Sequence, residues 1–189
     1  MSSRNFHKSD NAIRVVVATN SEQLLDAYSV RSICFMEEKG IPARSIFDGN
    51  DFQATHIVVY SGDEPIGSTR LRWFNNFVKM ERTAVRKAFR NTRVLQRLGS
   101  FAVEHAARKG YTKAVTLAEA QYAKIWTRLF GWHEVTQKPP TVLGDGEQYI
   151  ELIGEFEGAA DPLTPDSDSK ILLRIEGYWD QPTALESSF

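Results

Sequence analysis

Five positively charged side chains fall within twelve consecutive positions near the middle of the chain: Arg86, Lys87, Arg90, Arg93 and Arg97. Apolar residues at helical spacing begin inside the same stretch, at Val94, and continue to Ala106. The first N–H groups of a helix lack partners within it and carry the positive end of its dipole, so a helix beginning near Asn91 or Thr92 would attract an anion. The pattern predicts a site for a phosphate-bearing ligand, although a solvated basic helix start has the same pattern.

The composition is that of one globular domain with a full core, since 42% of the 189 residues are hydrophobic and 25% are charged. The formal net charge of −1 gives no overall basic field, so nucleic acid is not expected as a partner. No apolar run approaches the roughly 20 residues that span a bilayer. The polar first residues lack the apolar centre of a secretion signal, so we expect a cytoplasmic protein. Cys34, the lone cysteine, excludes an internal disulfide, and no cysteine or histidine group has zinc spacing, so no metal is expected.

Alternating apolar residues, helical spacing and turn residues predict the order β-α-β-β-β-α-β-α-β-β. Strands are expected at residues 13–18, 55–60, 66–73, 77–85, 113–118, 134–136 and 148–157, and helices at 21–35, 91–109 and 121–130. Hairpins together with a strand–helix–strand crossover indicate an α/β (α+β) domain, with a mixed sheet of about seven strands flanked by helices on both faces. Residues 1–12 are expected to be a disordered leader and residues 13–157 the domain. Residues 158–189 are expected to be a linker and extension, with a further strand at 170–177.

Several of these stretches resemble the coenzyme-A-binding core of the GNAT N-acyltransferase superfamily. Thr83-Ala84-Val85 is similar to the small apolar run that ends the central strand of that family, and residues 108–111 are similar to the end of its following helix. Residues 31–42 and 126–132 are similar to two further family patterns. The resemblance covers about residues 13–157 and implies the GNAT fold, with acetyl-CoA or another acyl-CoA as the donor substrate.

The same resemblance implies which residues contact the donor. They are the end of the central strand and the start of the next helix: Thr83, Ala84, Val85, Arg90, Asn91, Thr92, Arg93, Val94 and Leu95. Family members have small residues in this loop, and glycines there let the backbone approach a pyrophosphate closely. Arg93 and Leu95 stand at those places here, so we expect a crowded loop in which the charge of Arg93 replaces some backbone contacts.

Acyl transfer from a thioester to an amine also needs a base, because a free alkyl amine has a pKa of about 10. Glu81 is the first candidate, since burial within an apolar strand would raise its pKa toward neutrality. An ion pair of Glu81 with Arg72 or Arg82 is the alternative. Because side chains alternate along a strand, Glu81 and Arg82 would face opposite sides unless a bulge intervenes, and the face that opens onto the cleft decides which of the two is catalytic.

Two further residues could take part in this chemistry. Glu119, at the end of the strand predicted at 113–118, is the second candidate base. Tyr122 is the candidate acid for the leaving thiolate. In the family, a splayed gap between two parallel strands exposes an N–H that polarises the thioester carbonyl. Here those strands would be residues 77–85 and 113–118.

A second resemblance is to the acyl-homoserine-lactone synthases and N-acyl amino acid synthases, which share the GNAT fold and take acyl chains from acyl carrier protein. It is carried by an arginine–phenylalanine pair, two acids three positions apart and two strand arginines: Arg31, Phe35, Asp48, Asp51, Arg70 and Arg82. The first five are the residues that the resemblance implies for the substrate. Arg31 paired with Asp48 or Asp51 would equally be a structural ion pair that closes the loop over the first helix.

We therefore expect an N-acyltransferase that moves an acetyl or short acyl group from acyl-CoA to a primary amine on a small-molecule acceptor. Short donors are expected because the large aromatic residues near the strand gap, among them Phe101, Trp126 and Trp132, more often plug a tunnel than line it. One alternative is a synthase of acylated signals or amino acids with acyl carrier protein as a partner. Another is a degenerate GNAT fold that binds without turnover. A homodimer is left open.

Overall fold

The computed structural model describes residues 13–143 and 145–187, so the leader expected at residues 1–12 lies outside the described residues. The strands are β1 Ile13–Val17, β2 Thr55–Ser61, β3 Glu64–Trp73, β4 Val78–Val85, β5 Lys113–Glu119, β6 His133–Glu134, β7 Thr141–Val142 and β8 Gln148–Glu155. The α-helices are α1 Ser21–Arg31, α2 Ala43–Ile46, α3 Thr92–Arg108, α4 Ala120–Phe130, α5 Ser169–Leu172 and α6 Ala184–Ser187. A π-helix, Ser32–Glu37, continues α1, and 3-10 turns occupy Gly49–Gln53 and Lys87–Phe89.

The strands form one mixed sheet in the order β1-β2-β3-β4-β5-β8-β6, with β7 also pairing β8. The predicted mixed sheet with helices is confirmed, and it has eight strands because the short β7 adds one that the sequence did not indicate. Among the described strands, only the central pair, β4 and β5, is parallel. In the described chain their ladder goes no further than Met80 and Thr116, whereas β4 continues to Val85 and β5 to Glu119. The two strands therefore diverge in the middle of the sheet.

The main core lies between α3 and one face of the sheet. Leu98 and Ala102 of α3 pack in one buried cluster with Leu71 of β3 and Met80 of β4. Apolar residues three and four apart along α3 make the continuous face that such packing needs. The helix begins where the sequence predicted, because the Asn91 side chain accepts the N–H of Val94 at 2.9 Å and caps the first turn.

Helix α1 covers the opposite face of the sheet. Its Val30 packs with Cys34 of the following π-helix and with Ala84 of β4. The Asn20 side chain caps the start of α1 by accepting the N–H of Gln23 at 2.9 Å. The sheet is thus covered on both faces around its central strands, including the place where β4 and β5 diverge.

Helix α4 is fixed to α3 by a close contact at a glycine. A Cβ on Gly99 of α3 would lie 2.3 Å from Cζ of Phe130, the last residue of α4. Phe130 in turn packs against the stacked pair Trp126 and Trp132, whose ring centroids are 5.1 Å apart. The absence of a side chain at Gly99 therefore sets how closely α4 approaches α3.

The segment after β8 packs across the far end of α3, and the strand expected at residues 170–177 is wrong. The chain forms the one-turn helix α5 there and then an irregular stretch. The carboxylate of Glu176 accepts from Thr55 Oγ1 at 2.8 Å, from the His105 ring at 3.0 Å and from Lys109 Nζ at 2.8 Å. Side-chain hydrogen bonds, rather than a β-ladder, hold this segment. Whether residues 158–189 are a unit distinct from the domain stays a prediction.

None of the helices in residues 13–143 and 145–187 is long and apolar enough to cross a membrane.

Candidate active site

The candidate site is the cleft where β4 and β5 diverge. The Thr116 hydroxyl donates to the Met80 carbonyl at 2.9 Å, so a side chain closes the last rung of the parallel ladder. Beyond that rung, the edge of β4 that faces β5 has backbone N–H and C=O groups without a β5 ladder partner in the described chain. Such groups can pair with an extended, amide-bearing ligand, and an N–H among them can polarise a carbonyl. The splayed gap expected between these strands is present.

A β-bulge lies on this part of β4. Glu81 pairs with Arg70 of β3, but Ala84 pairs with Ser68, so the register shifts between them. Arg82 lies in the shift with φ of 53°, a left-handed conformation that is costly for a residue with a Cβ. A bulge of this kind bends the strand and redirects the side chains that follow it.

The bulge overturns the simple alternation expected along residues 77–85. Met80 packs in the core beneath α3, whereas Ala84 packs on the opposite face with Val30 and Cys34. Four residues along a regular strand would share one face, so the extra residue at the bulge has exchanged the faces. The bulge that the sequence left open is therefore present, and regular alternation ends after Met80.

The residues expected to contact the donor lie together at this end of β4 and at the start of α3. Thr83, Ala84 and Val85 follow the bulge, and Asn91 and Thr92 begin the helix. Val94 is buried and Leu95 is partly buried against the core. Arg93 is exposed. Crowding of the loop by Arg93 and Leu95 stays a prediction.

Arg90 is already engaged. Its Nε donates to the Val85 carbonyl at 2.8 Å, and its guanidinium forms an ion pair with Glu38, which follows the π-helix. The Glu38 carboxylate raises the pKa of Arg90 in spite of burial, so Arg90 is charged. A donor that uses the Val85 carbonyl or the charge of Arg90 must compete with these contacts.

A buried ion cluster joins five of the residues from the second resemblance. Arg31 is fully buried and donates to Asp51 Oδ1 at 2.7 Å, which matches the predicted structural ion pair. Arg70 donates to Asp48 and to Asp51, each at 2.8 Å. Arg82 donates to the Asp48 carboxylate at 3.4 Å. The cluster ties α1 and the loop before β2 to the bulge.

Phe35, expected beside this cluster, packs instead against the apolar group that contains Val30 and Ala84.

Glu81 belongs to the same cluster, and the expectation that burial raises its pKa toward neutrality is wrong. Burial does act to raise the pKa of Glu81, but Lys79 at 2.8 Å and Arg70 outweigh it and lower the pKa below the ordinary value. Arg72 lies 3.6 Å from the same carboxylate, so the ion-pair alternative describes Glu81 better. A carboxylate paired in this way is a weak base at neutral pH.

Glu119 lies at the other lip of the cleft, at the end of β5, and is buried. Its carboxylate contacts the ammonium of Lys39 and accepts from Gln121 Nε2 at 2.9 Å. Lys39 Nζ also lies 5.5 Å from the ring centroid of Tyr122, which is 41% exposed. The two predicted residues Glu119 and Tyr122 are thus brought together, and Lys39 links them.

Lys39 is a residue that the sequence did not identify. It lies 80 positions from Glu119, and no local pattern shows that the two meet. Gly40, with φ of 68°, is the local signal, because a glycine in this conformation marks the end of the helical run that precedes Lys39.

A cavity of about 400 Å³ opens beside this group and is lined by Glu119, Ala120, Gln121, Gly146, Glu147 and Gln148. Its acidic lining can receive the positive charge of an amine. In the described part of the chain, no three histidine, cysteine, aspartate or glutamate side chains gather in a way that could hold a metal ion.

Comparisons with known proteins identify the family. A family model described as the Acetyltransferase (GNAT) family matches residues 23–132. The uncharacterized N-acetyltransferase YjcF of Bacillus subtilis is 32% identical over 126 residues, which cover 67% of this chain and 89% of that protein. A crystal structure assigned as an N-acetyltransferase from Lactobacillus plantarum aligns with a TM-score of 0.70 and 26% identity over 77% of this chain and 99% of that one.

A more distant structure shares the fold alone. The acyl-homoserine-lactone synthase LasI aligns with a TM-score of 0.61 and 14% identity, over 76% of this chain and 89% of that one.

Proposed function

The chain belongs to the GNAT acetyltransferase family, and we propose that it moves an acetyl or short acyl group from acyl-CoA to a primary amine of a small molecule. The observation that carries the proposal is the divergence of β4 from β5 directly beside the capped, basic start of α3. One ligand could lay an extended arm along the open edge of β4 and place its phosphates at the helix. A coenzyme A thioester has both parts.

Binding of the donor would replace contacts that Arg90 now makes near Val85. Pantetheine amides would pair with the open edge of β4 between the bulge and Val85, and the pyrophosphate would lie at the N–H groups of Thr92 and Arg93. Arg90 would leave the Val85 carbonyl and Glu38 and turn to a phosphate. The Arg93 side chain supplies charge where small residues would otherwise supply backbone contacts.

The reaction forms the C–N bond of an amide and breaks the C–S bond of the thioester. An N–H on the open edge of β4 would stabilise the oxyanion. Glu119 would accept the proton of the attacking amine, since its carboxylate lies at the end of the cleft beside the acidic cavity. Tyr122, in the first turns of α4, would return a proton to the thiolate.

Glu119 is preferred to Glu81 because of their partners. Glu81 is held by two arginines and a lysine, and its pKa is lowered. Glu119 contacts one ammonium, that of Lys39, at the mouth of the cleft. We therefore assign the ion pairs of Glu81, with those of Arg82, to holding the bulge in place.

Binding of the donor tests the first half of the proposal. Arg93→Glu should weaken coenzyme A binding roughly tenfold to a hundredfold in calorimetry, since a charge-assisted contact contributes about 1.5–3 kcal/mol. Arg97→Glu is the matched control, because Arg97 is also exposed but lies one turn further along α3, and its effect should be smaller. Equal affinities for wild type and Arg93→Glu would remove the donor from this helix start.

The acid–base assignment is tested by two conservative variants. Glu119→Gln should lower kcat for release of thiol from acetyl-CoA by roughly 10²–10⁴ while the fold stays intact. Glu81→Gln should mainly lower the free energy of unfolding, because it removes the carboxylate that pairs with the buried Arg70 and with the half-buried Arg72 and Lys79. The reverse pattern, a stable but inactive Glu81→Gln protein and an active Glu119→Gln protein, would restore Glu81 as the base.

The ion cluster of Arg31, Asp48, Asp51, Arg70 and Arg82 supports a second candidate, an acyl-carrier-protein-dependent synthase of acylated signals or amino acids. These residues match the second resemblance and meet in one group. Each arginine of the cluster is paired with an aspartate of the cluster, however, so few of these charges are free to bind a substrate. Binding of acylated carrier protein without binding of coenzyme A would favour this candidate.

A further inference from the structure

The side chain of Lys39 places a primary amine beside Glu119 and Tyr122, the proposed base and acid of the acylation. Its ammonium contacts the Glu119 carboxylate and lies 5.5 Å from the ring centroid of Tyr122. A primary amine is the functional group that the proposed acceptor must bring to the same place. Lys39 therefore occupies, within the chain, the position of an acceptor.

We propose that Lys39 is a modification site, and that the protein acylates this ε-amine in cis from its own bound thioester. The inference rests on the proposed function, because the donor and the proton acceptor are those of the intermolecular reaction. It differs in the acceptor, which is a named residue of this chain. Nothing beyond the acyl-CoA donor is required.

Lys39 follows the π-helix at the edge of the cleft, within reach of the proposed reaction site. The π-helix Ser32–Glu37 ends just before it, and Gly40 follows in a left-handed conformation. The Lys39 side chain is 29% exposed and that of Glu119 is 9% exposed, so the pair lies at the lip of the cleft rather than on the open surface. Water is partly excluded there, and a thioester on β4 could still approach.

The surroundings also favour the neutral amine that attack requires. Burial lowers the pKa of Lys39, and the positive charge of Arg90 acts in the same direction, against the carboxylates of Asp145, Glu147 and Glu38. The Glu119 carboxylate opposes this shift by pairing with the ammonium, and it is also the group that takes a proton when the amine attacks.

The reaction is balanced with the groups present. The Lys39 nitrogen attacks the thioester carbonyl, a C–N bond forms, and the C–S bond breaks. The Lys39 ammonium first releases one proton to solvent, and the second nitrogen proton goes to Glu119 as the amide forms. The leaving thiolate takes a proton from Tyr122 or from solvent. The product is an uncharged amide.

Acylation of Lys39 would change the surroundings of Glu119. An acylated Lys39 has no ammonium, so Glu119 loses its ion-pair partner and faces the cavity of about 400 Å³ beside it. A second amine could then bind to Glu119 there. The modification would thus prepare the base for an external acceptor.

Mass spectrometry of the intact protein incubated with acetyl-CoA tests the proposal. We expect one acetyl group per chain, located on Lys39 after protease digestion, with a first-order rate that does not change with protein concentration. Lys39→Arg, which keeps the charge beside Glu119, should abolish the modification. Lys124→Arg is the matched control, because Lys124 is an exposed lysine on α4, and it should leave the modification unchanged.

A second variant separates this reaction from chemical acetylation. Glu119→Gln should slow acetylation of Lys39 by roughly 10²–10⁴, whereas acetylation of exposed lysines should be unaffected. Acetyl groups spread over many lysines, at the same rate in the folded and the urea-unfolded protein, would overturn the proposal. So would an unmodified Lys39 in a protein that acetylates an added amine, a result that leaves the proposed function intact. If acetyl-CoA is consumed in neither reaction, both proposals fail.

Discussion

Arg70 lies directly opposite Glu81 in the β3–β4 ladder, and its Nε donates to the Glu81 carboxylate at 3.1 Å. The register changes immediately afterwards, where Arg82 adopts its left-handed conformation. The same Arg70 guanidinium donates to Asp48 and Asp51 in the loop before β2. The ion cluster therefore ends at the bulge. It connects the loop before β2 to β4, the strand whose unpaired edge faces the cleft.

Arg82 should tolerate glycine better than alanine. Both variants lose the hydrogen bond to the Ser45 carbonyl at 2.9 Å, but only alanine keeps a Cβ in the left-handed region, which costs roughly 1–2 kcal/mol. We expect Arg82→Ala to be less stable than Arg82→Gly by about 1 kcal/mol in urea unfolding. An alanine variant as stable as the glycine variant would mean that the bulge does not hold residue 82 in this conformation.

The attachment of the segment after β8 should weaken in acid. Burial acts to raise the pKa of Glu176, but His105, Lys109 and Thr55 together lower the pKa to about 2. A lowered pKa means that the carboxylate contributes stability above its unfolded pKa of about 4.3 and loses it as the pH falls toward the folded value. Glu176→Gln should therefore lower the urea midpoint at pH 7.

The difference between wild type and Glu176→Gln should shrink as the pH falls below about 4.3. Glu157→Gln serves as the control, because Glu157 is exposed, and its urea midpoint should follow wild type at every pH. A difference that stays constant down to pH 3 would show that the Glu176 carboxylate is not held by these partners.

Gly99→Ala should destabilise the protein although alanine is the better helix former. The new Cβ would lie 2.3 Å from Cζ of Phe130 and 2.8 Å from its Cε1, and the ring is packed against Trp126 and Trp132. Overpacking of this kind costs about 1–3 kcal/mol, more than the roughly 1 kcal/mol that alanine gains over glycine in a helix.

The control for this overpacking is Gly49→Ala, since a Cβ there would meet no atom of the described chain within 4 Å. Thermal unfolding should show a loss for Gly99→Ala and little change for Gly49→Ala. A stabilised Gly99→Ala protein would mean that α4 is free to move away from α3.

Local patterns were sufficient for the elements around the site. Asn91 as a cap and the apolar spacing of α3 follow from signals within a few residues. The parallel pairing of residues 77–85 with residues 113–118 was implied by the family resemblance. An ion pair of Arg31 with Asp48 or Asp51 was predicted as the alternative to a substrate role, and Asp51 is the partner that the structure shows.

Contacts between distant segments could not be derived in the same way. The pKa of Glu81 depends on Lys79, two residues away on the same strand, and on Arg70, whose place opposite Glu81 is set by the β3–β4 register. The exchange of faces after Met80 depends on a single extra residue at the bulge. Lys39 meets Glu119, 80 positions away, only because the fold brings the end of the π-helix to the end of β5.

The central claim is that this enzyme acylates amines with short acyl groups taken from coenzyme A. The most direct test is a donor series from acetyl to dodecanoyl, offered both on coenzyme A and on acyl carrier protein with a panel of primary amines, and followed by thiol release. We predict amine-dependent turnover with acetyl-CoA and other short acyl-CoA donors, with rates that fall as the chain lengthens. Rates that rise with chain length and occur only on carrier protein would contradict the claim in favour of the synthase, and no turnover with any donor would contradict catalysis itself.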